Sequence, residues 1–239
     1  MAYGLTKSKN FVLASSQYLS RGDSFGLSQL ASHTFECWIK IPSQPGTNVQ
    51  WGIWTLFWAQ AGLRIWYQDT AGTKGFMVMR HGWFVQQNNF VHNVTLTPGQ
   101  WYHIAYSYNG NATILYIDGV QVASGNLGNN TGSTLSVTST LGSSAGNSTP
   151  GELFNGNISL ARLWSTVRTQ SEISANMCNV FGGATTGLVA EWSLDNVVTS
   201  APSNTYPWTE NNSPAYQSDV PSICGGGATQ NSAFLQFMA

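Results

Sequence analysis

The chain has 239 residues and a mass of 25.9 kDa, which fits one large all-β domain or two small ones. Nine Lys and Arg against ten Asp and Glu give a net charge of −1, and charged residues make up only 8% of the chain. No basic run occurs, which argues against nucleic-acid binding and against electrostatic docking to a membrane. The apolar stretches are shorter than a bilayer span, and a 13% aromatic content with ten Trp excludes disorder.

The N-terminal segment contains no continuous apolar core, so we predict no signal peptide. A secreted location would then need an unseen leader or release of an assembly from a cell, as for a virus particle. The segments that follow are short, rich in β-branched and aromatic residues, and often alternate in polarity, which is typical of strands. They are TFECWIKI, WGIWTLFWAQ, LRIWYQD, GFMVMRHGWFVQ, WYHIAYSYN, ATILYIDG, VQVASG, TLSVTSTLG, NISLARLW and GLVAEWSL.

Turn signals separate these segments, and the strongest of them is Asp118-Gly119. We predict a type I′ hairpin turn there, because both central residues of such a turn need a positive φ. One short helix is predicted from Ser171, with Ser171 as the N-cap and Glu172 near the positive end of the helix. Many strands with almost no helix indicate an all-β fold, either a two-sheet sandwich or a jelly roll.

The composition changes after Leu194. From residue 195 to residue 231 the chain is rich in Pro, Ser, Asn and Gly, and it then ends in the apolar octet SAFLQFMA. We therefore predict a sandwich over residues 1–194 and a C-terminal extension over residues 195–239. Burial of the large side chains in the octet would be favourable, so we expect residues 232–239 to dock on the sandwich or on other subunits of an assembly.

The order of several segments resembles a known family. The most specific are the run WYHIAYSYNGNATILYIDGV and the run FNGNISLARLW, with FVLASSQYLSRGDS, HTFECWIKI and GLVAEWSLD around them. Together they resemble the laminin-G-like group of the concanavalin A-like lectin/glucanase superfamily over roughly residues 10–195. The resemblance implies a two-sheet antiparallel jelly roll. Where members usually carry an acidic pair, this chain has Ser159-Leu160.

Enzymatic activity is not predicted. The glucanase branch uses closely spaced carboxylates on one strand, because retaining hydrolysis needs two carboxyl groups about 5–5.5 Å apart. Here no two carboxylates lie within two residues of each other, and the nearest approach to the pattern is Glu191 with Asp195. A glycoside hydrolase is therefore the weakest of the functions considered. No nucleophile-elbow motif of the G-x-S-x-G kind indicates a Ser-His-Asp enzyme either.

No metal site or other cofactor is predicted. The four His residues form no H-x-x-x-H pair, and His103 falls in a strand motif where a structural role is expected. Calcium stays open, with Asp69, Asp118 and Glu152 as candidate ligands but no spaced ligand set. The three Cys residues show no zinc spacing; Cys37 is expected to be a buried thiol, and Cys178 and Cys224 could pair only in an oxidising compartment.

The Trp residues fall into two groups. Those in the strand motifs resembling the family are expected in the core, namely Trp38, Trp101, Trp164 and Trp192. The second group is crowded into residues 51–83, where it either fills a thick core or forms a surface on which sugar rings stack. On the second interpretation we predict a glycan site formed by Trp66, Arg80, His81 and Trp83, since Arg and His would bind sugar hydroxyls beside the aromatic rings.

These patterns favour a non-enzymatic, carbohydrate-binding and adhesive module displayed on an extracellular assembly such as a virion surface. Its expected partners are a cell-surface or extracellular glycan and, through the C-terminal segment, other subunits; no nucleic acid and no membrane span are expected. The alternative is a purely structural decoration or fibre protein without glycan binding.

Overall fold

The computed structural model describes residues 5–28, 31–58, 61–82, 88–128, 138–144, 152–195 and 205–224. Two antiparallel sheets pack face to face, which confirms the predicted all-β sandwich of the concanavalin A-like type. In chain order the strands are β1 (Ser8–Phe11), β2 (Tyr18–Arg21), β3 (His33–Lys40), β4 (Gln50–Trp58), β5 (Ala61–Thr70), β6 (Thr73–Gly82), β7 (Asn88–Asn93), β8 (Trp101–Tyr108), β9 (Ala112–Ile117), β10 (Val120–Asn126), β11 (Thr138–Leu141), β12 (Gly156–Trp164), β13 (Leu188–Trp192), β14 (Thr209–Asn211) and β15 (Ala215–Gln217).

The eight-stranded sheet has the order β10-β9-β8-β3-β12-β1-β15, with β13 also paired to β12. The seven-stranded sheet has the order β14-β2-β11-β4-β5-β6-β7. Neighbouring strands along the chain pair directly from β4 to β7 and from β8 to β10. The two sheets therefore differ in strand number and in strand order.

The core lies between the sheets and is filled by the inward-facing residues of both. Alternation along β3 directs Phe35, Cys37 and Ile39 inward, and Phe35 stacks on Trp54 of β4 with ring centroids 4.0 Å apart. Trp51, Trp54, Trp192 and Trp208 all belong to this core cluster. Of the Trp residues expected in the core, Trp38, Trp164 and Trp192 are buried, whereas Trp101 is half-buried.

The β9–β10 connection confirms the predicted hairpin turn. Asp118 and Gly119 have φ values of 50° and 76°, and Ile117 pairs with Val120 across the turn. Positive φ at both positions is what a type I′ turn requires, and the Asp-Gly pair is suited to it.

The predicted helix is present, but its start differs from the prediction. Helix α1 spans Gln170–Asn176, and its N-cap is Thr169 rather than Ser171. The Thr169 side chain accepts a hydrogen bond from the Glu172 amide, and the Glu172 carboxylate accepts one from the Thr169 amide. This reciprocal capping box fixes the helix start two residues earlier than Ser171.

The described part of the C-terminal extension adds to both sheets. Strand β14 pairs with β2, β15 pairs with β1, and Trp208 enters the core. A disulfide joins Cys178 to Cys224 across 46 residues of sequence. The octet at residues 232–239 lies outside the described residues, so its docking stays a prediction.

Helix α1 has seven residues and is too short to cross a bilayer. No helix in the part of the chain that the structure describes is both long enough and apolar enough to do so.

Candidate functional site

The outer face of the seven-stranded sheet carries a depression of about 380 Å³, which we call the outer-sheet cavity. Its size falls in the range of small-molecule sites. It is lined by Gln50, Arg64, Trp66, Met77, Met79, Asn89 and Glu152.

Strand register explains why these residues share one face. Trp66 pairs with Gly52 on one side and Met77 on the other, while the flanking positions Ile65 and Tyr67 belong to the core. Successive side chains of a strand point to opposite faces, so Arg64 and Trp66 face outward together. Met79 and Asn89, which pair with each other, extend the same face across β6 and β7.

Glu152 reaches the cavity from a loop that crosses β4 at Gly52. The Gly52 amide donates to the Glu152 carbonyl at 2.8 Å, and a Cβ at Gly52 would lie 2.1 Å from the Ser144 nitrogen. Only glycine leaves room for this close approach of backbone to sheet. The Glu152 carboxylate accepts a hydrogen bond from the Ser144 hydroxyl, which holds it at the cavity.

Arg64 and Glu152 place opposite charges in the cavity. Burial lowers the pKa of Arg64 to about 10, an effect that the nearby Glu152 carboxylate opposes. Burial raises the pKa of Glu152, and the Arg64 guanidinium opposes that shift in turn. A hydrogen-bond donor and an acceptor of opposite charge therefore both line the cavity.

The side-chain amide of Gln68 fixes two residues at the floor of the cavity. Gln68 Oε1 accepts hydrogen bonds from Trp66 Nε1 at 2.7 Å and from Gln50 Nε2 at 3.1 Å. The Trp66 ring is thereby fixed, but only 2% of it is exposed. Met77 and Met79 are half-buried and offer the more accessible apolar surface. The arrangement combines apolar walls with charged and amide groups that can bind hydroxyls.

Comparison with known proteins agrees with this architecture. The laminin-G-like family model described as the concanavalin A-like lectin/glucanases superfamily matches residues 13–174, more than half of the chain. The chain belongs to the concanavalin A-like lectin/glucanase superfamily. The match confirms the resemblance predicted from the strand motifs. No curated protein sequence matches the chain.

Solved structures show the same superfamily fold at low sequence identity. A predicted carbohydrate-binding protein from Bacteroides ovatus ATCC 8483 has a TM-score of 0.67 at 22% identity, covering 90% of this chain and 60% of its own. The enzymatically active domain of tailspike protein 2 of bacteriophage CBA120 has a TM-score of 0.59 at 14% identity, covering 83% and 34%. The sialidase carbohydrate-binding module CBM40 of Ruminococcus gnavus, bound to α2,3-sialyllactose, has a TM-score of 0.53 at 12% identity, covering 72% and 98%.

Of the four residues predicted to form a glycan site in this lectin/glucanase-like fold, the structure does not bring Trp66 and Arg80 together. Trp66 faces outward in the cavity, whereas Arg80 pairs in register with Leu63 of the core and has only 3% of its surface exposed. The side chain of His81 and the whole of Trp83 lie outside the described residues. A glycan-binding role for any of the four residues stays a prediction.

Arg80 has a packing role at one end of the core. Its Nη1 donates to the Tyr108 hydroxyl, which in turn donates to the Gly128 carbonyl. Tyr108 also lies against the ring of His33, with centroids 5.3 Å apart. Burial, together with the Arg80 charge, lowers the pKa of His33 to about 4. Arg80 thus contacts interior aromatic residues rather than the outer-sheet cavity.

The calcium candidates are dispersed over this superfamily scaffold. Asp69 pairs with Lys74, Asp118 accepts a bond from the His103 amide, and Glu152 lines the outer-sheet cavity. The described residues contain no group of three His, Cys, Asp or Glu side chains that could hold a metal ion.

The carboxylates weighed for hydrolysis are also engaged elsewhere. Glu191 is buried and accepts the Phe181 and Gly182 amides, while Asp195 accepts the Thr6 hydroxyl. His103, buried opposite Glu36, has the structural position expected of it.

Sequence reasoning missed most of the cavity. Arg64, Met77, Met79 and Asn89 lie in predicted strands, where Arg64 and Trp66 form an alternating pair that indicates one face of β5. Glu152 was weighed only as a calcium ligand. The Gly52 that admits its loop interrupts a strand pattern, which is a signal of close backbone approach.

Proposed function

We propose that this chain is a non-enzymatic carbohydrate-binding module and that the outer-sheet cavity is its glycan site. The observation that carries the proposal is the lining of that cavity. Apolar walls from Met77 and Met79 lie beside the charged pair Arg64 and Glu152 and the amides of Gln50 and Asn89.

This mixture suits a sugar ring. The C–H faces of a sugar pack on apolar and aromatic surface, while its hydroxyls exchange hydrogen bonds with amide, guanidinium and carboxylate groups. Neither the Asn89 amide nor Oε1 of Gln50 has a partner in the described part of the chain. Both are therefore free to bind hydroxyls.

Two structures with this fold add support. Carbohydrate binding is predicted for the Bacteroides ovatus protein, and the Ruminococcus gnavus module is bound to a sialylated sugar. The chain spans 60% of the length of the Bacteroides ovatus protein, so the activity of that whole protein is not carried over. At these identities the likeness shows fold, and the cavity lining has to carry the function.

The positions of the carboxylates support the proposal that the chain is non-enzymatic. All ten Asp and Glu residues of the chain fall within the described residues, and among them only Glu152 lines the cavity. Glycoside hydrolysis by the usual mechanisms needs two carboxyl groups, about 5–5.5 Å apart for retention and about 6.5–9.5 Å apart for inversion. A lone carboxylate in the cavity supports binding rather than hydrolysis.

We extend the proposal to display on an extracellular assembly such as a virion surface. The Cys178–Cys224 disulfide is of a kind that persists in oxidising surroundings. A bacteriophage tailspike domain shares the fold, although that domain is enzymatically active. The alternative, a purely structural decoration protein, predicts that no glycan binds.

A glycan array with two matched variants tests the site. Asn89 and Asn93 are exposed on the same face of β7, but only Asn89 lines the cavity. We expect Asn89→Ala to weaken binding of the best array glycan about tenfold, equivalent to about 1.4 kcal/mol, and Asn93→Ala to leave it unchanged.

Three results would overturn the proposal. The array could show no glycan bound by the wild-type protein, which would favour the structural alternative. Both Asn variants could bind as the wild type does, which would place the site elsewhere. Bound oligosaccharide could be cleaved during incubation, which would contradict the non-enzymatic assignment.

A further inference from the structure

We propose that the outer-sheet cavity selects uncharged sugar rings with neighbouring hydroxyl groups and discriminates against rings that carry carboxylate, sulfate or phosphate. This inference rests on the proposed function and specifies its ligand class.

The charges that line the cavity are balanced. All nine Lys and Arg residues lie within the described residues, and only Arg64 among them lines the cavity. Glu152 contributes one opposing charge. The cavity therefore has no excess positive charge with which to attract an anionic sugar, and the whole chain has a net charge of −1.

The two charged groups of the cavity differ in the hydrogen bonds that they can form. A guanidinium only donates hydrogen bonds, and an ionised carboxylate only accepts them. A hydroxyl does both, so a pair of neighbouring hydroxyls can accept from Arg64 and donate to Glu152. An anionic substituent can accept from Arg64 but has no proton for Glu152, and the two negative charges would repel.

The remaining polar side chains that line the cavity are uncharged. Gln50 is oriented through its Nε2 by Gln68, which leaves its Oε1 as a hydroxyl acceptor. Asn89 supplies a second amide at the exposed rim. Amides bind hydroxyls without requiring ligand charge, so they reinforce recognition of neutral rings.

The test compares matched pairs of methyl glycosides by NMR titration: galactoside with galacturonide, glucoside with glucuronide, and N-acetylglucosaminide with its 6-sulfate. For the ring that binds best, we expect the wild-type protein to bind the neutral member at least about tenfold more tightly. Glu152→Gln should reduce that ratio to about threefold or less, since the amide keeps the shape but no longer repels an anion. Asp195→Asn, which removes a charge just after strand β13 of the other sheet, should leave the ratio unchanged.

A second variant keeps the inference testable if Glu152→Gln folds poorly. Asn89→Asp adds a negative charge at the exposed rim and should increase the discrimination against anionic rings. Tighter binding of anionic members by the wild type, or a ratio that neither variant changes, would overturn this inference while leaving carbohydrate binding intact. Failure of both the array glycans and these glycosides to bind would instead overturn the proposed function.

Discussion

The outer faces of the two sheets both carry charged residues, but only one face is covered. On the eight-stranded sheet, Glu36 accepts hydrogen bonds from Trp164 Nε1 at 2.7 Å and pairs with Arg162 Nε at 3.1 Å and His103 Nε2 at 3.3 Å. On the seven-stranded sheet, Arg64 and Glu152 line an open cavity.

The covered face is closed by helix α1 and the chain that follows it. Arg162 donates to the carbonyls of Asn176 and Asn179, and Trp38 donates to the carbonyl of Met177. Its charges are thus used to hold the cover in place. The comparison shows that charged residues on one sheet hold another part of the chain in place, whereas those on the other sheet line a cavity that a ligand can enter.

The largest effect should come from replacing the central arginine on each face. Arg162→Met leaves the buried Glu36 carboxylate without its main partner, so we expect a loss of about 3–5 kcal/mol in the free energy of unfolding. Arg64→Met should cost less than about 2 kcal/mol, because Glu152 is half-buried and bonded to Ser144, yet it should abolish glycan binding. Urea denaturation and array binding measure the two effects.

Equal stability losses in these two variants would remove the distinction between the faces. Full glycan binding by a folded Arg64→Met protein would move the site away from the cavity.

Removal of the disulfide should have the next largest effect on stability. Cys178–Cys224 closes a loop of 46 residues beside Trp38 and Met177, and such cross-links contribute about 3–4 kcal/mol. The double variant Cys178→Ser, Cys224→Ser should therefore lower the urea midpoint while glycan affinity stays unchanged, because the cavity lies on the other sheet. An unchanged midpoint, or a loss of affinity in a protein that is still folded, would contradict this separation.

The pH dependence of stability should also differ between variants of the two faces. Burial would raise the pKa of Glu36, but Arg162, His103 and Trp164 outweigh it and lower the pKa from 4.5 to about 2. The stabilisation is then present above pH 4.5 and is lost as the pH falls toward 2, amounting to about 3 kcal/mol. Arg162→Met should flatten this part of the profile in urea titrations, and Arg64→Met should not.

His33 adds a separate component at higher pH. Its pKa is lowered from 6.5 to about 4, so the folded state favours the neutral ring and loses stability as the pH falls from 6.5 to 4. That component should persist in both arginine variants. A profile that is flat between pH 6.5 and 2 in the wild-type protein would refute both assignments.

Local patterns predicted the fold well because they depend on neighbouring residues. The Asp118-Gly119 turn needs only two positive φ values, and the alternation around Cys37 indicates which residues of β3 face the core. The helix start is also encoded locally: Thr169 and Glu172 have the spacing of a capping box, whereas the predicted N-cap Ser171 has no Glu or Gln three residues later.

The site was harder to predict because the sequence does not show which face of each strand points outward. Along β6, Phe76 and Val78 face the core and Met77 and Met79 face outward, so both faces of the strand are apolar. Alternation could not show that Arg80 points inward, away from Trp66. Glu152 enters through a loop that contacts Gly52, a hundred residues earlier, and no local pattern encodes that contact.

The most direct test of the central claim follows the methyl groups of Met by NMR in protein labelled at those methyls with ¹³C. Met77 and Met79 line the outer-sheet cavity, whereas Met177 belongs to the segment that covers the eight-stranded sheet and packs against Trp38. Addition of the best array glycan should shift the Met77 and Met79 resonances in a saturable manner and leave that of Met177 unchanged. A saturable shift of Met177 without shifts of Met77 and Met79 would place binding on the covered face and contradict the account.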